Sequence, residues 1–141
     1  MNPMYTGTAT ATGGREGQVK SSDGFLEFSL VKPKGMGGKG EEGTNPEQLF
    51  AAGYSACFGS ALELVIQQKK ADVQESSVTA NVSIGKDEED GGFKLAVELD
   101  VNLRGVDQET AQELAEAAHQ VCPYSKATRG NIDVTIKAKG E

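Results

Sequence analysis

The stretch from Asn45 to Lys70 constrains this chain more than any other. Asn45 offers a side-chain oxygen to the open N–H groups of a first helical turn. Pro46 brings the preset φ of a first helical position, and Gln48 stands where a capping box closes. The pattern predicts a helix from Pro46 to about Lys70, with Gly53 and Gly59 as points where it can bend or break. Its middle is apolar or small nearly all round: Leu49, Phe50, Ala51, Ala52, Tyr54, Ala56, Phe58, Leu62, Val65 and Ile66. A helix without a polar face is expected to be buried on most sides.

The segments around it alternate with period two, as strands do. Tyr5 to Thr12 alternates Thr with small or apolar residues until Gly13-Gly14 interrupts it. Gln18 to Lys20 falls in a middle strand, Ser22-Asp23-Gly24 is a turn signal, and Leu26, Phe28 and Leu30 mark a third strand of a meander. Beyond the helix, Val78, Ala80, Val82 and Ile84 alternate. An acidic turn, Asp87 to Gly92, follows, and then Phe93, Leu95, Val97, Leu99, Val101 and Leu103 alternate. Asp107 caps a second helix with Ala111, Leu114, Ala115, Ala118 and Val121 on its apolar face. Pro123 disfavours a helical Cys122, so this helix stops there, with a short helical piece around Tyr124 to Thr128. Ile132, Val134, Ile136 and Ala138 close the chain as a strand.

Three strands, helix, two strands, helix, strand is not a repeated βαβ order. It predicts an α+β fold of mainly antiparallel sheets with a long buried central helix. No repeat or linker divides the 141 residues, which suit one domain, 1–141.

A net charge of −7, with no basic run longer than Lys69-Lys70, argues against nucleic acid or an anionic membrane as partner. Met1 to Gly17 lacks the charged and apolar regions of a secretory signal. No span was expected to approach the roughly 20 apolar residues of a membrane helix, so the expected compartment is the cytoplasm.

In a reducing compartment, Cys57 and Cys122 are either inert core residues or redox groups. Cys57 sits about three turns into the apolar helix, among Gly53, Ser55, Ala56, Gly59 and Ser60, which would let other groups approach its sulfur. Cys122, at a helix end, is expected to be the more accessible thiol. An attacking and a resolving cysteine would fit such a pair, though a spacing of 65 residues does not place them together. With one His and two Cys, a four-ligand zinc site would need carboxylates as well.

A reactive thiolate needs a nearby positive charge. Of three arginines, Arg15 stands out because Gly13, Gly14 and Gly17 surround it. It reads either as a solvated turn residue or as a planar fork that serves a thiolate and a carboxylate together. Glu47 lies in the first helical turn, where the dipole favours it in any case. His119, one turn before Cys122, is a base or a structural residue. Pro33 to Thr44, with five glycines, is a linker or a flap.

Four segments carry a wider pattern: NPEQLFAAGYSACFGSAL from Asn45 to Leu62, HQVCPYSKATRGNI from His119 to Ile132, GGREG from Gly13 to Gly17, and GMGG from Gly35 to Gly38. In this order they resemble the organic hydroperoxide resistance family, within the Ohr/OsmC superfamily, over essentially the whole chain. The resemblance implies an intertwined homodimer with active sites at the subunit interface. It implies that Cys57 is peroxidatic, that Cys122 resolves, and that Arg15 and Glu47 activate Cys57. It further implies organic hydroperoxides as substrates and dihydrolipoyl groups on carrier proteins as the reductant, with no bound cofactor or metal. Met36 and Phe50 are the candidates for an apolar pocket wall. A redox sensor that forms the disulfide without turnover, and a domain with inert thiols, are the competing readings.

Overall fold

The computed structural model describes residues 1–141. They form two compact units, Met1–Leu49 and Phe50–Glu141. No shift of composition marks the border, which falls inside a helix.

The first unit is a three-stranded antiparallel meander of β1 (Ala9–Thr12), β2 (Gln18–Ser21) and β3 (Glu27–Ser29). β1 is shorter than the Tyr5–Thr12 alternation suggested. It can be no longer than its partner β2, which ends where Ser21 and Asp23 build a turn: Ser21 Oγ donates to Asp23 Oδ1 at 2.6 Å and Phe25 N–H to the same oxygen at 3.0 Å. The β1–β2 connection is Gly13 to Gly17. Gly13 and Gly14 take φ of 77° and 58°, and a Cβ on Gly17 would lie 1.6 Å from the Thr12 carbonyl oxygen. These glycines are demanded by the closure of a tight hairpin, not only a source of freedom. The glycine-rich loop after β3 is tied at its ends, since Leu30 bridges Thr44 and Thr44 N–H donates to Ser29 O at 2.9 Å. Among hydrophobic residues of this unit only Val19 and Leu30 are buried.

Helix α1 (Pro46–Lys69) is continuous. Gln48 N–H donates to Asn45 Oδ1 at 2.8 Å, so Asn45 is the cap. Gln48 takes its own hydrogen bond from Thr44 Oγ1 at 2.8 Å, one residue off the expected capping box. At the other end Lys70 adopts φ 53° and Ala71 N–H reaches back to Ile66 O at 3.1 Å, closing the last turn. Neither glycine breaks the helix.

The second unit wraps one side of α1. β4 (Glu75–Lys86) pairs antiparallel with β5 (Phe93–Arg104), from Glu75↔Arg104 to Lys86↔Phe93, around the acidic turn. β5 buries Val97, Leu99, Val101 and Leu103, every second residue. α2 (Gln108–Val121) is capped by Asp107, whose side chain accepts from Thr110 N–H at 2.8 Å, and α3 (Pro123–Thr128) follows at once. β6 (Val134–Gly140) then lies parallel to β5, because two helices carry the chain back before it re-enters the sheet. The whole is α+β with mainly antiparallel sheets and a long central helix.

Three expectations need correction. The apolar surface of α1 is not buried on most sides: its buried residues, Tyr54, Phe58, Ala61, Leu62 and Val65, make a single stripe, and Leu64 is 44% exposed. That stripe packs against β5 and α2, which cover one face of the helix. By length and composition α1 is also apolar enough to cross a membrane, beyond what was expected of any span, although its stripe packs into the core with β5 and α2. Val121 does not join the α2 core either. It is 45% exposed, because the turn into α3 points Cys122 inward in its place.

Candidate active site

Arg15 sits on the single 3-10 turn, Gly14–Glu16, that joins β1 to β2. Its guanidinium meets Glu47 of the first turn of α1 with both prongs: Nη1 to Oε2 at 2.8 Å and Nη2 to Oε1 at 2.5 Å. Two parallel charge-assisted bonds fix the plane as well as the position of the fork. The pair is partly shielded, with side chains 29% and 12% exposed. Arg15 holds the Glu47 carboxyl below the usual carboxylate range against the opposing effect of burial, and Glu47 in turn raises Arg15. The turn thus presents a permanent cation oriented by a carboxylate. Glu47 is more than a dipole partner of its helix.

In the second unit, Cys57 and Cys122 meet. Cys122 Sγ lies 3.6 Å from Cys57 Sγ, and both are free thiols. The accessibility is the reverse of the expectation: Cys122 is fully buried and Cys57 half-buried. The cause is local. Pro123 starts α3 directly after α2, so the residue between the two helices is folded under both. Cys57 lies at the edge of the buried stripe of α1, beside a flank of small residues. Burial pushes the Cys57 thiol up; the backbone N–H of Tyr124 opposes this, and the neighbouring Cys122 adds to it.

An aromatic group stands beside this pair. Phe50, Tyr54 and Tyr124 contact one another edge-on or tilted, with ring centroids 5.7–6.2 Å apart. Tyr124 lies so close to α1 that a Cβ on Gly53 would be 2.7 Å from its hydroxyl. Phe50, expected as a pocket residue, is therefore part of an apolar wall about two helical turns from Cys57. Met36 is half-buried on the turn Lys34–Met36 of the first unit.

Sequence reasoning missed Tyr124 as a donor to Cys57, and it missed a buried polar cluster behind the cysteines. His119 Nδ1 is 2.7 Å from Ser125 Oγ, which is 2.8 Å from the Tyr54 hydroxyl, itself 3.0 Å from Thr128 Oγ1. The signal was present but thin: polar Ser125 and Thr128 at helical spacing on a short helix otherwise free to be solvated. No cluster of His, Cys, Asp and Glu in the structure is arranged to hold a metal ion.

Residues 38–137 match the family described as OsmC-like protein. The chain is 53% identical over 136 residues to organic hydroperoxide resistance protein OhrB of Bacillus subtilis, covering 96% of this chain and 98% of that one. It is 54% identical over 136 residues to OhrA of the same organism, covering 96% of each. Among solved structures, an organic hydroperoxide resistance protein from Elizabethkingia anophelis, with thiocyanate bound, superposes with a TM-score of 0.93 at 57% identity over the full length of both chains.

Proposed function

The chain belongs to the OsmC-like family, on its organic hydroperoxide resistance branch, and we propose that it is a two-cysteine peroxidase that reduces organic hydroperoxides to alcohols. Its relatives support a role in organic hydroperoxide defence. The observation that carries the finer reading is the approach of two thiols from positions 57 and 122 to 3.6 Å.

Cys57 is the attacking thiol because it is the one peroxide can reach. Burial works against its thiolate, so a cation has to favour the charged form. Arg15, held flat by Glu47, is the cation assigned to that role. The thiolate sulfur attacks the outer peroxide oxygen and the O–O bond breaks. The hydroxyl stays on sulfur as a sulfenic acid, and the alkoxide leaves and takes up a proton. Arg15 stabilises the charge that develops on the departing oxygen. The Cys122 sulfur then displaces the hydroxyl from Cys57, giving a disulfide and water. A dihydrolipoyl dithiol on a carrier protein reopens the disulfide by exchange and becomes a cyclic disulfide itself. The two electrons come from sulfur throughout, so no bound cofactor is called for. Phe50, in the aromatic group beside the cysteines, lines the approach of the alkyl group.

The same reading makes the protein a homodimer of the cytoplasm. A three-stranded sheet with two buried hydrophobic residues is marginal alone in water. It leaves Tyr5 and Phe25 84% and 96% exposed, while α1 exposes Leu64. A second copy covers these surfaces.

Steady-state consumption of cumene hydroperoxide with dihydrolipoamide tests the proposal. Sustained turnover that is lost in Cys57→Ser is expected. A single oxidation with no further turnover makes the protein a sensor, and two thiols that survive peroxide make it neither.

A further inference from the structure

The buried hydroxyls behind the cysteines have no part in the chemistry above. Tyr54 and Ser125 are fully buried and Thr128 nearly so. Polar groups are costly to bury unless each finds a partner. Here every one does. His119 Nδ1, Ser125 Oγ, the Tyr54 hydroxyl and Thr128 Oγ1 form one chain of 2.7, 2.8 and 3.0 Å contacts, and Thr128 Oγ1 donates onward to Ser125 O at 3.3 Å. No buried side-chain polar atom is left without a partner.

The placement of this chain is specific. Tyr54 precedes Cys57 by three residues on α1. His119 precedes Cys122 by three on α2, and Ser125 follows Cys122 by three at the start of α3. Residues three apart share a helical face. The chain therefore ties together the three helices that bracket the two sulfurs, one turn away from each. Arg129 adds a second tie, its Nη1 donating to His119 O at 2.8 Å. Apolar side chains of the same size would fill this space, and Phe would replace Tyr54 without loss of volume. Hydrogen bonds are directional where apolar packing is not, so they set relative helix positions more narrowly.

We propose that Tyr54, Ser125 and His119 are positioning residues for the resolving step, holding Cys122 where it captures the Cys57 sulfenic acid. This rests on the peroxidase reading above. A disulfide needs its sulfurs about 2.05 Å apart, so the pair, at 3.6 Å, has to close by about 1.5 Å. The brace governs that approach. In the step it serves, the Cys122 sulfur bonds to the Cys57 sulfur, the S–O bond breaks, and the hydroxyl leaves as water with the thiol proton. The first step, attack on peroxide, uses Cys57 and the Arg15–Glu47 pair and does not require the brace.

The test is a single turnover of the full-length protein with one equivalent of cumene hydroperoxide, quenched at intervals and read by mass. Tyr54→Phe and His119→Leu are expected to form sulfenic acid at the wild-type rate but the disulfide about tenfold more slowly, the scale of a misplaced reacting group. In excess peroxide they accumulate sulfinic acid at Cys57. His119→Asn, whose amide falls where Nδ1 stands, recovers most of the disulfide rate; a role confined to stability would lower the melting temperature and leave the partition between disulfide and sulfinic acid unmoved. Tyr54→Phe keeps the test valid if His119→Leu fails to fold. Disulfide formation at the wild-type rate in a folded Tyr54→Phe overturns the brace. Failure of the wild type itself to form a Cys57–Cys122 disulfide overturns the peroxidase reading beneath it.

Discussion

The two compact units solve opposite problems. Met1–Leu49 has scarcely any core, two buried hydrophobic residues, yet it holds the strongest ion pair of the molecule by geometry, bidentate Arg15–Glu47. Phe50–Glu141 has a continuous core running through α1, β5 and α2, and against it two free cysteines. Charge sits where the fold is thin and water is near, so its desolvation cost is small. The thiols sit where the fold is dense, which fixes their separation, and burial disfavours ionisation of Cys57. The division teaches that a held charge needs little core, whereas a fixed pair of sulfurs needs a dense one.

The sharpest break of this comparison is in the sulfurs. Cys57→Ser is expected to abolish hydroperoxide consumption, and Cys122→Ser to allow one oxidation and then stall at the sulfenic or sulfinic state. Peroxide loss followed against protein concentration distinguishes the two. Next is the cation. Arg15→Ala is expected to slow oxidation of Cys57 by about a hundredfold or more, the effect of removing one oriented charge from such a site. Arg15→Lys is expected to recover little, since an ammonium lacks the planar fork. Thiolate absorbance against pH checks the cause, and Cys57 should titrate higher in Arg15→Ala.

The contrast in packing predicts a difference in stability. Leu62→Ala, in the dense unit, is expected to cost about 3 kcal/mol. Val19→Ala, in the thin one, is expected to cost about 1.5 kcal/mol. Urea unfolding of both variants measures this, and equal costs would remove the distinction between the units.

The smallest effect separates them by pH. His119 is held below the ordinary histidine value of 6.5, by burial first and by Arg129 second. The unfolded chain therefore takes up this proton more readily, and stability falls as pH drops from about 6.5. Glu47 is also depressed, from an ordinary 4.5, by its bond to Arg15. Its contribution, about 1 kcal/mol for a partly open pair, is present above that value and lost as pH falls further. Acid titration of stability should show two steps, the upper one absent in His119→Asn and the lower one, to which Asp23 and Asp107 also contribute, reduced in Glu47→Gln.

Much of this was legible in the residues themselves. Asn45 and Asp107 cap their helices as their types and positions require, and the alternation from Phe93 to Leu103 is the buried face of β5. What failed to read were the properties set by distant partners. The parallel return of β6 depends on where two helices deliver the chain, which period-two alternation does not encode. The burial of Cys122 depends on α3 folding back under α2, so a helix end read locally looked open. The Tyr54–Ser125 bond spans 71 residues, and no spacing rule reaches that far. Arg15 was legible as an unusual arginine among glycines, but its partner Glu47, 32 residues on, came only from the resemblance.

The central claim is that the half-buried Cys57 attacks and the buried Cys122 resolves. Peptide mass mapping after one equivalent of cumene hydroperoxide, with sulfenic acid trapped by dimedone in the Cys122→Ser variant, tests it directly. The account predicts a Cys57–Cys122 disulfide in the wild type and a dimedone adduct on Cys57 alone in the variant. Oxidation of the wild type at Cys122 with Cys57 left as a thiol would contradict it.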